Sequence, residues 1–189
     1  MTETRTIASI QEEIMRLKAE LTEARRASAP EPVDDYALKR TDGSTVHLSE
    51  LFDEKRDLLV FHNMGKGCAY CTIWADGLNG FTDHLQSRTA IALVSADPPR
   101  VAGEFAESRN WRIPVLSGNG SEFTRAMGFL TDDGVQPGVS AFHLNDDGSI
   151  VRTGFDSFGP GDDYCSPFPL FDLLEGGIGS WEPKLSYES

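Results

Sequence analysis

Apolar residues recur at Ile7, Ile10, Ile14, Leu17, Leu21 and Ala24, a 3-4-3-4-3 spacing that aligns them on one face of a helix. Thr6 precedes the run as an N-cap, and Pro30-Glu31-Pro32 stops it. With Ile7 at heptad position a, Glu13 and Glu20 fall at g while Lys18 and Arg25 fall at e, where opposite charges pair across a parallel dimer. Two uses fit the stripe: packing on the chain's own domain, or homodimerisation through the N-terminal helix. Residues 1–30 are read as a helical extension.

Beyond the extension the apolar positions form short runs separated by turn residues. Tyr36–Arg40 and Thr45–Leu48 flank Thr41-Asp42-Gly43, which predicts an added N-terminal β-hairpin with an Asp-Gly turn. Ser49 is placed to cap a short helix over Glu50–Phe52. Leu58–His62 predicts a strand, the segment from Cys68 a helix, and Ala90–Ser95 a strand buried on both faces. Asp97 as N-cap, with Pro98 in the first turn, predicts a helix to about Asn110. Ile113–Leu116 reads as a third strand and Ser121–Met127 as a short helix. Val139–Leu144 and Ser149–Thr153 form a hairpin about Asn145–Gly148, and a last helix covers Phe168–Leu174 before Gly176-Gly177. The globular domain is therefore expected over 35–176, with 177–189 as a loose tail.

The order after the first hairpin is βαβαβ(α)ββα. Right-handed crossovers make the early strands parallel, and the final hairpin runs back along the sheet. This is a thioredoxin-like α/β fold, a central mixed sheet flanked by helices. In it the last strand, ending near Thr153, leaves the chain at the same sheet edge as Cys68, where ligands bind in open α/β sheets.

Candidate chemistry concentrates at that edge. Cys68 and Cys71 stand three residues apart in Gly67-Cys68-Ala69-Tyr70-Cys71-Thr72, between a strand and the first turn of a helix. The helix N-terminus favours thiolate, and a free cysteine's pKa near ~8.5 falls to roughly 3.5–7.5 in such a setting. Cys68 is the expected nucleophile and Cys71 the resolving thiol of a dithiol–disulfide site. Lys66 and Asp76 are auxiliary candidates, the first to lower the thiol pKa and the second as a proton acceptor. Gly65 and Gly67 leave the approach open to a bulky disulfide. Cys165, in the loop after the last strand, is either a surface or capping cysteine or a third redox thiol. The alternative chemistry is zinc or copper held by Cys68, Cys71 and His62 or His84, although the second Cys-x-x-Cys or His pair of a structural zinc site is missing. His62 and His143 otherwise read as packing residues, and Trp74 as core. Peroxiredoxins carry Pro-x-x-x-Thr/Ser-x-x-Cys at the peroxidatic cysteine, and Asn63-Met64-Gly65-Lys66-Gly67-Cys68 does not resemble it, lacking that proline and hydroxyl.

Composition narrows the partners. Lys and Arg number 17 against 30 Asp and Glu, a net charge of −13, and the second half is the more acidic. With no basic cluster, nucleic acid and acidic membrane surfaces are excluded as partners. No apolar run spans a bilayer, and Met1–Arg5 lacks the basic start and apolar core of a secretory leader, so a cytoplasmic location is expected. Three cysteines in such a chain argue against a disulfide framework and for redox or metal chemistry. The expected partners are a disulfide-containing substrate and a cellular thiol reductant, with no bound cofactor. A redox-inert dimeric interaction domain is the remaining alternative.

Met64–Gly80, with its Gly-Lys-Gly-Cys-Ala-Tyr-Cys-Thr-Ile-Trp core, resembles the signature of a thioredoxin-like family of unknown function. Members of that family are labelled predicted dithiol–disulfide oxidoreductases. Supporting matches are Tyr36 with Asp42-Gly43, Trp111-Arg112-Ile113-Pro114, Ser121-Glu122-Phe123 and Pro137-Gly138-Val139-Ser140, covering about Tyr36 to Leu174. The resemblance implies a thioredoxin-like fold and a redox dithiol. Thioredoxin itself has Gly-Pro between its cysteines, where this chain has Ala69-Tyr70. Its cis-proline position is taken here by Gly138-Val139, with Pro137 one or two residues early.

Overall fold

The computed structural model describes residues 5–187. A helix, α1 (Ile7–Ala27), leads into β1 (Glu31–Val33) and the hairpin of β2 (Ala37–Arg40) and β3 (Thr45–His47), followed by a 3-10 turn over Leu48–Phe52. Then come β4 (Asp57–Asn63), α2 (Ala69–Gly80), α3 (Thr82–Arg88), β5 (Ala90–Ser95), α4 (Pro99–Ser108), β6 (Val115–Ser117) and α5 (Phe123–Ala126). A small hairpin, β7 (Leu130–Thr131) with β8 (Gly134–Val135), precedes β9 (Gly138–Leu144), β10 (Ile150–Ser157) and α6 (Pro167–Phe171). The main sheet has the order β1-β10-β9-β4-β5-β6-β2-β3. β4, β5 and β6 are parallel, and β9 is antiparallel to β4. The expected thioredoxin-like α/β architecture is the one observed.

The alternation of β4 divides the interior in two. Leu58, Val60 and His62 point to one face, among Ala92, Val94, Phe123, Phe129 and Phe142. Leu59 and Phe61 point to the other, where α2 lays Ala75 and Leu78 over Ile91 and Leu93. A period of two on the strand meets a period near four on the helix, and each buried Leu or Phe contributes about 1.5–3 kcal/mol. A third cluster, Trp74, Cys165 and Phe168, joins α2 to the chain after β10.

β10 runs to Ser157, four residues past the expected end, after a register shift between Arg152 and Gly154. Ser157 pairs with Gly138, which in turn pairs with His62, so the chain does emerge at the edge where β4 delivers Cys68. The breaker-like Pro30-Glu31-Pro32 conceals β1. Because β1 is an edge strand, Pro32 sits in it without breaking a ladder, and Arg152 clasps Glu31 at 2.5 Å. α3 has too few apolar residues for a stripe and was not expected; Thr82 Oγ1 donates to the Asn79 carbonyl at 2.8 Å as it begins. Two caps differ from expectation. Ser49 is held by the Asp35 carboxylate at 2.7 and 2.8 Å, while Glu50 accepts the His47 N–H at 2.7 Å. Pro98, not Asp97, occupies the N-cap of α4.

Thr6 caps α1 as expected, accepting the Ser9 N–H at 3.1 Å. No α1 residue is buried, and Ile10, Ile14, Leu17 and Leu21 are 40–48 % exposed. The stripe is thus not consumed by the chain's own core. Lys18 with Asp163, and Arg25 with Asp156 at 2.5 Å, tie the helix to the segment after β9.

Candidate functional site

The link from β4 to α2 is pinned on both flanks. Asn63 Oδ1 accepts the Gly65 N–H at 2.7 Å, and Asp97 Oδ2 accepts the Lys66 N–H at 2.6 Å. Gly65 takes φ +102°, and a Cβ there would stand 2.9 Å from the Asp97 carboxylate. Gly65 therefore serves a left-handed turn packed on Asp97, and does not widen an approach path. A Cβ at Gly67 would meet open space, as expected. The turn closes with the Cys68 N–H on the Gly65 carbonyl at 3.1 Å.

Cys68 is itself the N-cap of α2. Its Sγ accepts the Cys71 N–H at 3.0 Å, and its carbonyl accepts the Thr72 N–H and Oγ1–H at 3.0 and 2.9 Å. The sulfur thus occupies the place where an Asp or Ser oxygen usually caps a helix, facing unpaired N–H groups. A negative charge is stabilised there. The Cys71 thiol donates to Cys68, and with the N–H groups of Cys71 and Tyr70 it brings the Cys68 pKa down to about 6 against a partial desolvation cost. Cys71 is only 4 % exposed; giving its proton to Cys68, together with burial, raises its own pKa. The pair is a half-buried thiolate backed by a protonated, shielded thiol. Both are free thiols.

A cleft of about 350 Å³ opens beside Cys68, lined by Met64, Tyr70, Cys71, Trp74, Gln136, Pro137, Phe158, Gly159 and Pro160. Trp74 donates its Nε1–H to Asp162 at 2.7 Å, and Asp162 also accepts the N–H groups of Gly159, Tyr164 and Cys165. One carboxylate thus fastens the 158–165 segment to α2 and sets the far wall. Pro137 is trans; its carbonyl accepts the Phe158 N–H at 3.0 Å, while the Gln136 N–H goes to Phe129 at 2.7 Å.

The other candidates are placed elsewhere. The Lys66 side chain is exposed, and its contribution is the backbone N–H on Asp97. Asp76 is engaged by Arg109 and by the Trp111 Nε1–H at 2.7 Å, and it does not line the cleft. Cys165 is buried against Trp74 and Phe168, not on the surface, and burial beside Asp162 pushes its thiol up to about 11. His62 faces away from α2, stacked 3.9 Å from Phe129 with Nε2 on Ser140 Oγ at 3.0 Å. The alternative metal set of Cys68, Cys71 and His62 is therefore not assembled. His84 is exposed on α3, and among the described residues no three His, Cys, Asp or Glu side chains converge to hold an ion. His143 meets Asp57 at 2.8 Å. Asn63, Asp97 and Asp162 were not singled out from the sequence; each acts across the fold, and only Asp97 carried a signal, that of a helix cap.

The family described as "Bacterial protein of unknown function (DUF899)" matches residues 3–178. The chain belongs to this family. No curated protein matches it. Among solved structures, reduced Prx3 in complex with H2O2 from Vibrio vulnificus is 22 % identical, with 71 % of this chain and 90 % of that one covered and a TM-score of 0.56. A peroxiredoxin Q from Xanthomonas campestris is 16 % identical, covers 62 % and 80 %, and has a TM-score of 0.52. A hypothetical protein from Sinorhizobium meliloti 1021 is 17 % identical, covers 77 % and 82 %, and has a TM-score of 0.51. At these identities the likeness is one of fold, and it is to thioredoxin-fold proteins. No helix among the described residues is long and apolar enough to cross a membrane.

Proposed function

We propose that this DUF899 chain is a thiol–disulfide oxidoreductase working in the cytoplasm. The observation that carries the reading is the Cys68 sulfur at the N-cap of α2, 3.0 Å from the Cys71 N–H, with the buried Cys71 thiol one helical turn away. Cys68 thiolate attacks one sulfur of a substrate disulfide; the S–S bond breaks, a mixed disulfide forms on Cys68 and one substrate thiolate leaves. Cys71 then gives its proton to the departed substrate thiolate, attacks the Cys68 sulfur and expels the second thiolate, which takes a proton from water. The substrate gains two electrons, Cys68 and Cys71 become a disulfide, and a cellular dithiol returns them to thiols. Protonation of Cys71 in the resting state leaves Cys68 as the only activated sulfur of the pair, which fixes the order of attack.

Reduction of a chromogenic disulfide, with dithiothreitol as electron donor, tests the reading. Cys68→Ser is expected to abolish turnover, and Cys71→Ser to accumulate a mixed disulfide visible by mass. Turnover by the double serine variant equal to that of the native chain would remove the proposal.

A further inference from the structure

The cleft beside Cys68 specifies a substrate class. We propose that it holds the uncharged apolar or aromatic group of a small disulfide, so that Cys68 acts on low-molecular-weight apolar disulfides in preference to anionic or polypeptide ones. The inference rests on the dithiol reading above and deepens it.

Three observations carry it. First, apart from the Cys68 and Cys71 sulfurs, the side chains in the cleft are apolar or aromatic, with Gln136 the one amide and no Lys, Arg, Asp or Glu among them. A carboxylate or phosphate on the substrate would be desolvated there without a partner, and the chain's net charge of −13 opposes its approach. Second, about 350 Å³ lies within the size range of pockets that bury a small molecule, and Tyr70, 37 % exposed, stands at the rim next to Cys68. Tyr70 and Trp74 have ring centroids 6.4 Å apart, and Trp74 and Phe158 are likewise 6.4 Å apart, giving a run of rings from rim to wall. Aromatic groups interact favourably at such separations. Third, two backbone groups opposite Cys68 are already used internally: the Pro137 carbonyl by Phe158 and the Gln136 N–H by Phe129. An extended peptide lying along this segment would have to do without the Gln136 N–H and share the Pro137 carbonyl with Phe158. A compact ligand held by apolar contact needs neither.

The reaction is the exchange already written, with the apolar group of the mixed disulfide seated in the cleft while Cys71 attacks the Cys68 sulfur. Tyr70 and Gln136 then determine specificity, and Asp162 is a positioning residue acting through Trp74 and the 158–160 wall.

Stopped-flow rates of the reduced chain are measured with 4,4′-dithiodipyridine, which is aromatic and neutral, and bis(2-hydroxyethyl) disulfide, which is neutral and polar. The anionic aromatic 5,5′-dithiobis(2-nitrobenzoate) and insulin complete the set. Each rate is divided by that of the same disulfide with free dithiothreitol thiolate, which removes leaving-group differences. The normalised rate with dithiodipyridine is expected to exceed each of the other three at least tenfold. Tyr70→Ala is expected to lower the dithiodipyridine-to-hydroxyethyl ratio about tenfold, a ratio that partial unfolding does not change. Gln136→Lys is expected to raise the normalised rate with the anionic aromatic probe at least fivefold. Equal normalised rates, a faster insulin reaction, or a ratio unmoved by Tyr70→Ala would each overturn the substrate class while leaving the dithiol chemistry standing. Rates with all four disulfides left unchanged by Cys68→Ser would instead remove the dithiol reading itself.

Discussion

The backbone N–H of Lys66 and the carboxylate of Asp97 lie 2.6 Å apart, and this bond joins the loop that presents Cys68 to the turn between β5 and α4. Asp97 also lies against Gly65, the one left-handed residue of that loop. The bond is solvent-accessible, and an intramolecular hydrogen bond of this kind contributes about 0.5–1.5 kcal/mol. Asp97→Ala is expected to lower stability by that amount in urea titration and to slow Cys68's reaction with disulfides several-fold. Asp97→Asn keeps an acceptor oxygen and should recover most of the rate.

A thiolate held at about pKa 6 sets a pH profile. Deprotonation favours attack, so alkylation of Cys68 by iodoacetamide should rise with pH, reach half its plateau near 6 and be nearly flat above 7. At pH 7 about nine-tenths of Cys68 is then thiolate, against a few per cent for an ordinary cysteine. Cys71→Ala removes the thiol that donates to it, and the midpoint should move upward. Stabilising the thiolate also stabilises the reduced pair. The reduction potential is expected between about −270 and −120 mV, in the lower half of that span.

His62 supplies a pH dependence of stability distinct from the redox site. Its ring is buried, stacked on Phe129, and its Nδ1 has no hydrogen-bond partner among the described residues, so burial lowers its pKa to about 3. An unfolded histidine titrates near ~6.5, so as pH falls below that value the unfolded chain takes up a proton that the folded chain refuses. Stability is complete above pH 6.5 and is lost on acidification, by about 2 kcal/mol between pH 6.5 and 5 at ~1.4 kcal/mol per unit. Urea midpoints at these two pH values measure it. His62→Leu should flatten this part of the curve whatever it does to the baseline.

Gly138 starts β9 opposite His62, beside Pro137 of the cleft. A Cβ there would come within 2.2 Å of the Phe129 ring, which is buried and stacked on His62, and 2.4 Å of the Asp156 backbone carbonyl. Gly138→Ala is expected to destabilise by at least about 3 kcal/mol, seen as a large fall in the urea midpoint. Gly67→Ala, with open space at its Cβ, should leave the midpoint nearly unchanged.

The strands that build the centre of this fold were readable because each is a short apolar run bounded by turn residues, as at Leu58–His62 and Ala90–Ser95. The Cys-x-x-Cys pair was readable because its chemistry depends on local spacing. What escaped depends on distant partners. Glu31–Val33 looks like a breaker until β10 is beside it, and Asp97 looks like a helix cap until Lys66 claims its carboxylate. Local spacing could not show that His62 turns from the thiols or that Asp76 is taken by Arg109 and Trp111, because strand alternation and helix packing decide both. The cleft was hidden for the same reason: its lining comes from four separate stretches, near residues 64, 70, 136 and 159.

The ion pairs of α1 reach further than the helix itself. Arg25 holds Asp156, which also accepts the Tyr164 hydroxyl at 2.9 Å, and Lys18 holds Asp163. Both anchors bracket the segment that Asp162 presses onto Trp74. The outward apolar stripe of α1 therefore belongs to a helix whose basic side chains meet the same segment that walls the cleft beside Cys68.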